Sequence, residues 1–372
     1  MLIDIMNRTY YFDLADQSIA GELIPRNICE QILNSKDVEL LPLLDAAFQV
    51  RKKFRGMEVT VHIINNIQNG HCPEDCHYCA QAKTSKAEIE EYPIKSDEEI
   101  LAEAKAAYDN GAFRYCMVSA GRGPSVRRTE KLAELIRKIK ALNPKGEVCV
   151  SAGLLNDESA RKLKEAGLDR LNHNLNTSQE RYPSICTTHT FDDRLNTLAA
   201  ARKAGIQLCS GLIAGMGEKP KDVIDVALQL RELKVESIPV NFLVPIDGNV
   251  LMQAQNLIPE YCLRILCLYR FLNPSTELRV AAGREGHLRS MEVMALYPAN
   301  SLFLQGYLNT KGSSNLKTLR MIKDAGFVIK SETDLDALIS REKKGQETFA
   351  VDDAQVLIKN LNELRPQLKS CV

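Results

Sequence analysis

Excess charge of either sign is missing from this chain: lysine plus arginine number 48, and so do aspartate plus glutamate. That balance provides no basic face for a nucleic acid and none for an anionic membrane surface, so small uncharged substrates fit better. Long apolar runs are missing as well, and none approaches the roughly 20 residues of a membrane span. The opening MLIDIMNRTYYFDLADQ has acidic residues where a secretion signal needs a basic start and an apolar core. Low-complexity tracts and an evident independent second domain are also lacking. What the chain does have is 11 cysteines in 372 residues, without secretion signals. Such usage points to a reducing compartment and to metal or redox work, not to a disulfide frame. The expected location is the cytoplasm.

Three of the thiols are crowded into NGHCPEDCHYCAQ, residues 69–81, where Cys72, Cys76 and Cys79 have the spacing C-x3-C-x2-C. A structural zinc site usually draws four protein ligands from two close pairs, and no second pair lies nearby. Ferredoxin-type runs carry their further cysteine ligands close by. Three thiolates without an obvious fourth suit a cluster that leaves one metal position open.

From about residue 57 the chain alternates β-branched runs with amphipathic helical patterns, the rhythm of a parallel sheet or barrel. MEVTVHIINNI leads into the cysteine loop; FRYCMVS, EVCVSAG, LDRLNHNL, IQLCSGLI, VESIPVNFLV, ELRVAAG and NSLFLQG follow, each after a helical pattern. Ser96 and Glu99 form a capping-box signature for one helix. LRSMEVMAL reads as another helix, and Gly111, Gly167 and Gly205 close helices where a left-handed cap suits glycine. Eight strands at a βα period predict an α/β fold, a (β/α)8 TIM-type barrel over 51–310. A helical extension occupies 1–50, and a C-terminal appendage occupies 311–372 with a last helix near 351–364.

Chemistry in such a barrel gathers at the C-terminal strand ends, which is where the cysteine loop falls. Cys116, Cys149 and Cys209 sit inside predicted strands, 33 and 60 residues apart, and Arg279 lies another 70 on. Side chains at matching heights on several strands converge in a barrel, so these four suit a second metal centre. The competing reading is packing, since a buried strand cysteine ordinarily acts as a small hydrophobe. Cys29, Cys186, Cys262, Cys267 and Cys371 are read that way.

The cysteine loop is similar to that of radical S-adenosylmethionine enzymes, and its CPEDCxYC form resembles the biotin synthases. RYCMVSAG, EVCVSAGLL, RLNHNLNTS, TTHTFDDRLNTL, AGIQLCSGLIAGMGE, SIPVNFLVPIDG, LRVAAGRE and ANSLFLQGYLNTKG agree in order, across roughly residues 45–328. The resemblance implies that Cys72, Cys76 and Cys79 hold a [4Fe-4S] cluster whose fourth iron binds S-adenosylmethionine. It implies that Cys116, Cys149, Cys209 and Arg279 hold an auxiliary [2Fe-2S] cluster as sulfur donor. Asn174 and Asn176 match positions near the ribose of that cofactor, and the Gly215 and Gly217 turn allows close backbone approach. Asn172 and Asn241 suit the ureido ring of dethiobiotin, because amides donate and accept without charge.

Other implications are a reducing partner such as flavodoxin or ferredoxin, and a homodimer. The sequence departs from the family at Asn176, usually Asp; at His189, commonly Arg; and at His62, usually a small hydroxyl residue. Its tail beyond residue 330 is longer than the family needs. Two other readings stay open: a related sulfur-inserting enzyme acting on another aliphatic acyl group, and a noncatalytic metal-binding protein.

Overall fold

The computed structural model describes residues 8–344 and 358–367. Ten strand segments run through it: β1 (Glu58–Gln68), β2 (Arg114–Ser119), β3 (Glu147–Ser151), β4 (Arg170–Asn172), β5 (Gln207–Cys209), β6 (Leu212–Ala214), β7 (Ser237–Phe242), β8 (Glu277–Val280), β9 (Ser301–Phe303) and β10 (Val328–Ile329). Every strand pairing is parallel, and β9 returns to β1 through Thr60–Ser301, Val61–Leu302 and His62–Phe303, which closes a barrel. β5 and β6 share one barrel position, since both pair with β7. The break between them falls where a Cβ on Gly211 would meet the Pro239 carbonyl oxygen at 1.9 Å. Only glycine permits that approach. The barrel therefore has eight strand positions, the number the sequence rhythm predicts.

β10 is a strand the rhythm does not reveal. Its two residues pair with Glu58 and Val59 at the start of β1, and so short a segment carries no alternation to read. Glycines do end the helices as expected, with Gly111, Gly167 and Gly205 at φ of 84°, 98° and 78°. Ser96 caps its helix by accepting from the Glu99 backbone N–H at 3.2 Å. The reciprocal half of the expected capping box is absent, because the Glu99 carboxylate instead takes Arg365, with Nε at 2.7 Å. A cation from the C-terminal segment outcompetes a neutral N–H for a charged acceptor. The stretch read as the helix LRSMEVMAL is a 3-10 helix, Arg289–Leu296.

Three N-terminal helices, Arg8–Ile19, Arg26–Asn34 and Leu40–Arg55, clad the helix Pro259–Leu272 from outside. Ser18 donates to the Phe271 carbonyl at 2.7 Å and Arg264 to the Ser35 carbonyl at 2.7 Å. Covered on both sides, Pro259–Leu272 buries every side chain from Cys262 to Leu272. A helix apolar nearly all round needs such double cover. Cys262 and Cys267 pack there as hydrophobes, and Cys29 is buried in the second of the cladding helices. Beyond β10 the structure contains the helices Leu335–Lys344 and Leu361–Leu364. Of the helix expected near 351–364, residues 351–357 lie outside the described residues, as does Cys371; in the described part only Leu361–Leu364 is helical.

Candidate active site: two thiol sets in one barrel

β1 delivers the chain to the barrel mouth at Gln68, where Gly70 (φ 79°) and His71 (φ 52°) turn it. A side chain at Gly70 is disfavoured by that positive φ, whereas the Glu91 side chain its Cβ would meet is half-exposed and free to move. The Gly70 N–H donates to Gln81 Oε1 at 3.1 Å, and the turns Cys79 N to Cys76 O and Ala82 N to Cys79 O, both 3.1 Å, fold the loop on itself. Cys72, Cys76 and Cys79 thereby line one cavity of about 270 Å³. None is in a disulfide, and no fourth cysteine lines that cavity. The donor set fits a cluster held by three thiolates with one metal position left free. Burial pushes the Cys79 thiol up to about 11, so its thiolate needs a bound cation to balance it.

The loop is anchored by acidic residues that the sequence reading passed over. Asp75 accepts from the backbone N–H groups of Thr187 and Thr188 at 2.9 and 3.1 Å, and also from both threonine hydroxyls. Burial alone raises the Asp75 carboxyl, but the hydrogen bonds from Thr187, Cys186 and Thr188 outweigh it and hold it well below the carboxylate range. Glu74 takes Arg122 at 3.3 Å, the Thr188 hydroxyl at 2.7 Å and His189 Nδ1. These contacts bring Cys186 and His189 beside Cys76, although the sequence pattern marks Cys186 only as a hydrophobe. Nothing local signals this pairing, because the two stretches are 110 residues apart.

The rest of the cavity wall is mainly apolar, with Val118, Leu154, Ile213, Phe242, Leu243 and Ile246 among its residues, and a set of amides is placed in it. Asn172, Asn174, Asn176 and Asn241 all line it. The Oδ1 atoms of Asn172 and Asn174 and the Nε2 of His173 are buried without a hydrogen-bond partner, as befits groups that await a polar ligand. Asn176 sits at φ 70° and donates to the Tyr78 hydroxyl at 2.6 Å. Asn241 donates to the Leu212 carbonyl at 3.0 Å and accepts from Ala282 N–H at 3.3 Å. Gly153 also lines the cavity, and its Cβ would fall 2.3 Å from the Arg122 carbonyl oxygen, so glycine there lets the β2 and β3 loops pack backbone to backbone.

Gly215 and Gly217 do not line the cavity. Their turn is tied by the Glu218 carboxylate, which accepts from Gly215 N–H at 2.7 Å and Met216 N–H at 2.8 Å. A Cβ on Gly215 would press on Leu257 and Leu243. Of these Leu243 forms part of the wall, so the glycine acts one layer back.

Sequence reasoning missed His173 and Arg194. Burial, with Arg194 and His189 near, drives the His173 ring well below its usual range and keeps it neutral. Arg194 lines the cavity and donates to the Asn174 carbonyl at 2.8 Å, but it pairs with no carboxylate among the described residues. The HNLN run offered a signal for His173. For Arg194 there was none beyond a charge on an otherwise amphipathic helix.

Below the cavity lies the second set. Cys116 and Cys149 are register partners on β2 and β3, and Cys209 on β5 partners Asn172. Cys116 is two residues before Val118 and Cys149 two before Ser151, both of which line the cavity. At roughly 3.3 Å per strand residue Cys116 and Cys149 stand about 7 Å deeper. Arg279 places its NH1 3.6 Å from Cys209 Sγ. Its other nitrogens are committed: Nε donates to Ser301 Oγ at 3.1 Å, and NH2 to Ser237 Oγ at 3.0 Å and to the Glu277 carboxylate.

Arg114 donates to Glu277 at 3.0 and 2.9 Å and to Glu147 at 2.8 Å, so two cations share the buried Glu277 and Glu147 continues the network to Arg170. Burial alone raises the Glu277 carboxyl, but Arg114, His62 and Arg279 hold it well below its usual value. A hydrogen bond from Cys149, helped by Arg279 and Arg114 against burial, lowers the Cys116 thiol, while Cys149 rises. Three undisulfided thiols form a donor set that fits a second thiolate-bound cluster, and the Arg279 nitrogen 3.6 Å from Cys209 Sγ stands beside it. His62 stands at the edge of this network, 3.4 Å from Glu277 and Arg279. Burial and the two arginines keep it neutral.

The Radical SAM superfamily profile matches residues 67–230, and that of the Biotin and Thiamin Synthesis associated domain matches residues 239–328. A biotin synthase of Acaryochloris marina is 53% identical over 350 residues, covering 94% of this chain and 98% of its own. One from Magnetococcus marinus is 56% identical, covering 85% and 98%, and one from Bacillus subtilis 43%, covering 89% and 98%. Among solved structures, methylornithine synthase (PylB) superposes with a TM-score of 0.73 at 19% identity, over 88% of this chain and 99% of that one. The FeFe-hydrogenase maturase HydG of Carboxydothermus hydrogenoformans gives 0.74 at 19%, over 89% and 82%. At that identity the two structures speak for the fold alone. Barrel and profile together define a radical S-adenosylmethionine enzyme. The likeness along nearly the whole length narrows the class, and the chain belongs to the biotin synthase family.

Proposed function

We propose that the two thiol sets divide one reaction, with Cys72, Cys76 and Cys79 as ligands of the [4Fe-4S] cluster and Cys116, Cys149, Cys209 and Arg279 as ligands of the [2Fe-2S] cluster. The enzyme is a radical S-adenosylmethionine sulfurtransferase that turns dethiobiotin into biotin. When bound, the first cluster with S-adenosylmethionine supplies a 5′-deoxyadenosyl radical, and the second supplies sulfur. The observation that carries the assignment is the stacking: three thiols line a cavity, Cys116 and Cys149 stand two residues deeper on strands beneath it, and Cys209 is set against Arg279 beside them.

The chain's own residues bind and exclude. Arg194, a cavity cation with no carboxylate partner among the described residues, pairs with the carboxylate of S-adenosylmethionine. Asn174 and Asn176 hold the ribose hydroxyls. The Gly215 and Gly217 turn shapes the cofactor wall through Leu243. Asn172, with its free Oδ1, and Asn241 bind the ureido ring. A neutral ring suits neutral amides, since neither side leaves a buried charge uncompensated. Arg279 is held by Glu277, Ser237 and Ser301 so that one nitrogen faces Cys209. Enclosure matters as much as contact, because a primary carbon radical abstracts hydrogen from most C–H bonds it meets.

No helix among the described residues is long and apolar enough to cross a membrane. The free thiols and both cluster sets support a reducing cytoplasm, with flavodoxin or ferredoxin as electron donor and a homodimer as the assembly. Iron and sulfide analysis with Mössbauer spectra tests the ligand sets. Cys76→Ala is expected to keep the [2Fe-2S] signature and lose the [4Fe-4S] one, and Cys149→Ala the reverse. Loss of both signatures, or of neither, in each variant would refute the division.

A further inference from the structure

Cys186 and His189 lie against Cys76, outside the donor sets assigned above. The Cys76 and Cys186 sulfurs are 3.8 Å apart, and Cys186 Sγ is 3.3 Å from His189 Nδ1 and 3.8 Å from Nε2. One donor atom from each residue falls within 4.8 Å of the other two, and all three side chains are buried. Zinc–sulfur and zinc–nitrogen bonds of about 2.3 and 2.0 Å in a tetrahedron set donor atoms about 3.5–3.8 Å apart. The second layer has the form that metal histidines use: His189 Nδ1 meets the Glu74 carboxylate, which fixes the tautomer and leaves Nε2 a lone pair. That lone pair accepts from Arg194 at 2.9 Å, a bond that gives way to a metal. A water completes four ligands.

We propose that Cys76, Cys186 and His189 are a second metal-binding set, for a thiophilic divalent cation of the zinc class, occupied in the cluster-free chain and excluded once Cys76 enters the iron–sulfur cluster. The exclusion rests on the reading of Cys76 as a cluster ligand; the metal set itself does not. Thiolate and imidazole favour zinc over the hard cations. A sulfur pair this close, in a chain whose thiols are exposed to metal before cluster assembly, gives zinc and cluster one shared ligand. The set thereby makes cluster uptake sensitive to zinc.

The test uses the full-length chain, cluster-free and anaerobic, titrated with Co²⁺ and then with Zn²⁺ as competitor. One Co²⁺ per chain is expected, with thiolate charge-transfer absorption and tetrahedral d–d bands that Zn²⁺ abolishes. A Cys72→Ser/Cys79→Ser double variant keeps those bands, whereas Cys186→Ala and His189→Ala each weaken Co²⁺ binding at least about tenfold. Circular dichroism and retained [2Fe-2S] uptake show that these variants fold. Cys186→Ala binding within about twofold of the unaltered chain would overturn the proposal, as would loss of the bands in the double variant, which would assign the ion to the three loop thiols. In a second arm, zinc-loaded chain takes up iron and sulfide for the [4Fe-4S] cluster more slowly than zinc-free chain, and Cys186→Ala removes the difference. Cobalt binding as expected with no effect of zinc on cluster uptake would instead refute Cys76 as a cluster ligand, leaving the metal set standing without its exclusion.

Discussion

At the barrel mouth the thiols ride on turns between Gly70 and Ala82, tied down by carboxylates and backbone hydrogen bonds, and two of the three are partly exposed. Below them the other thiols are fixed by strand register and buried, Cys116 and Cys149 about 7 Å down, with Arg114, Glu277 and Arg279 packed around them. The mouth set is open to cofactor, and a loop can adjust around a cluster. The deep set is rigid, because its geometry follows from eight closed strands, and it sits among buried charges that are stable only when fully paired. A reaction that ends with sulfur leaving one set has reason to keep the other where cofactor and reductant reach it.

The sharpest way to break this comparison is to remove one thiol from each set. Cys76→Ala is expected to abolish S-adenosylmethionine cleavage, and persistent 5′-deoxyadenosine in a reduced anaerobic assay would end the assignment of the mouth. Cys149→Ala, in contrast, should cleave S-adenosylmethionine yet yield no biotin; normal biotin yield would end the assignment of the deep set.

A smaller effect sharpens the difference in rigidity. Glu277→Gln leaves the buried Arg279 without its anion and Arg114 with Glu147 alone, so urea unfolding of the cluster-free chain should show a loss of about 3–5 kcal/mol. Asp75→Asn, which weakens the anchoring of the mouth loop, should cost less on the same assay, about 1–3 kcal/mol. Equal losses would mean that the two regions are not built differently. Smallest is Asn176→Asp, which restores the acceptor usual in the family; it should tighten S-adenosylmethionine binding by about fivefold, the worth of roughly 1 kcal/mol from a charge-assisted hydrogen bond. Unchanged affinity by calorimetry would remove Asn176 from the ribose contacts.

What could be read from the sequence follows the same divide. The mouth loop was visible as a local pattern, and the deep set as a period, because strand thiols one and two βα units apart must come to neighbouring strands. The eight strand positions were visible for the same reason. Contacts made across the barrel were not. Glu99 turns to Arg365 rather than to its own helix, β10 is too short to alternate, and the break between β5 and β6 depends on Pro239 pressing on Gly211. Cys186 looked like one more buried hydrophobe until the fold set it beside Cys76. His173 and Arg194 face the cavity only because β4 ends and the helix Phe191–Lys203 begins at its rim.

The division of labour is tested most directly by one anaerobic single turnover of reconstituted chain with dethiobiotin, S-adenosylmethionine and a reductant, run beside Cys149→Ala, with 5′-deoxyadenosine and biotin quantified together. The account predicts both products from the unaltered chain and deoxyadenosine without biotin from the variant. Biotin from both proteins, or deoxyadenosine from neither, would contradict it.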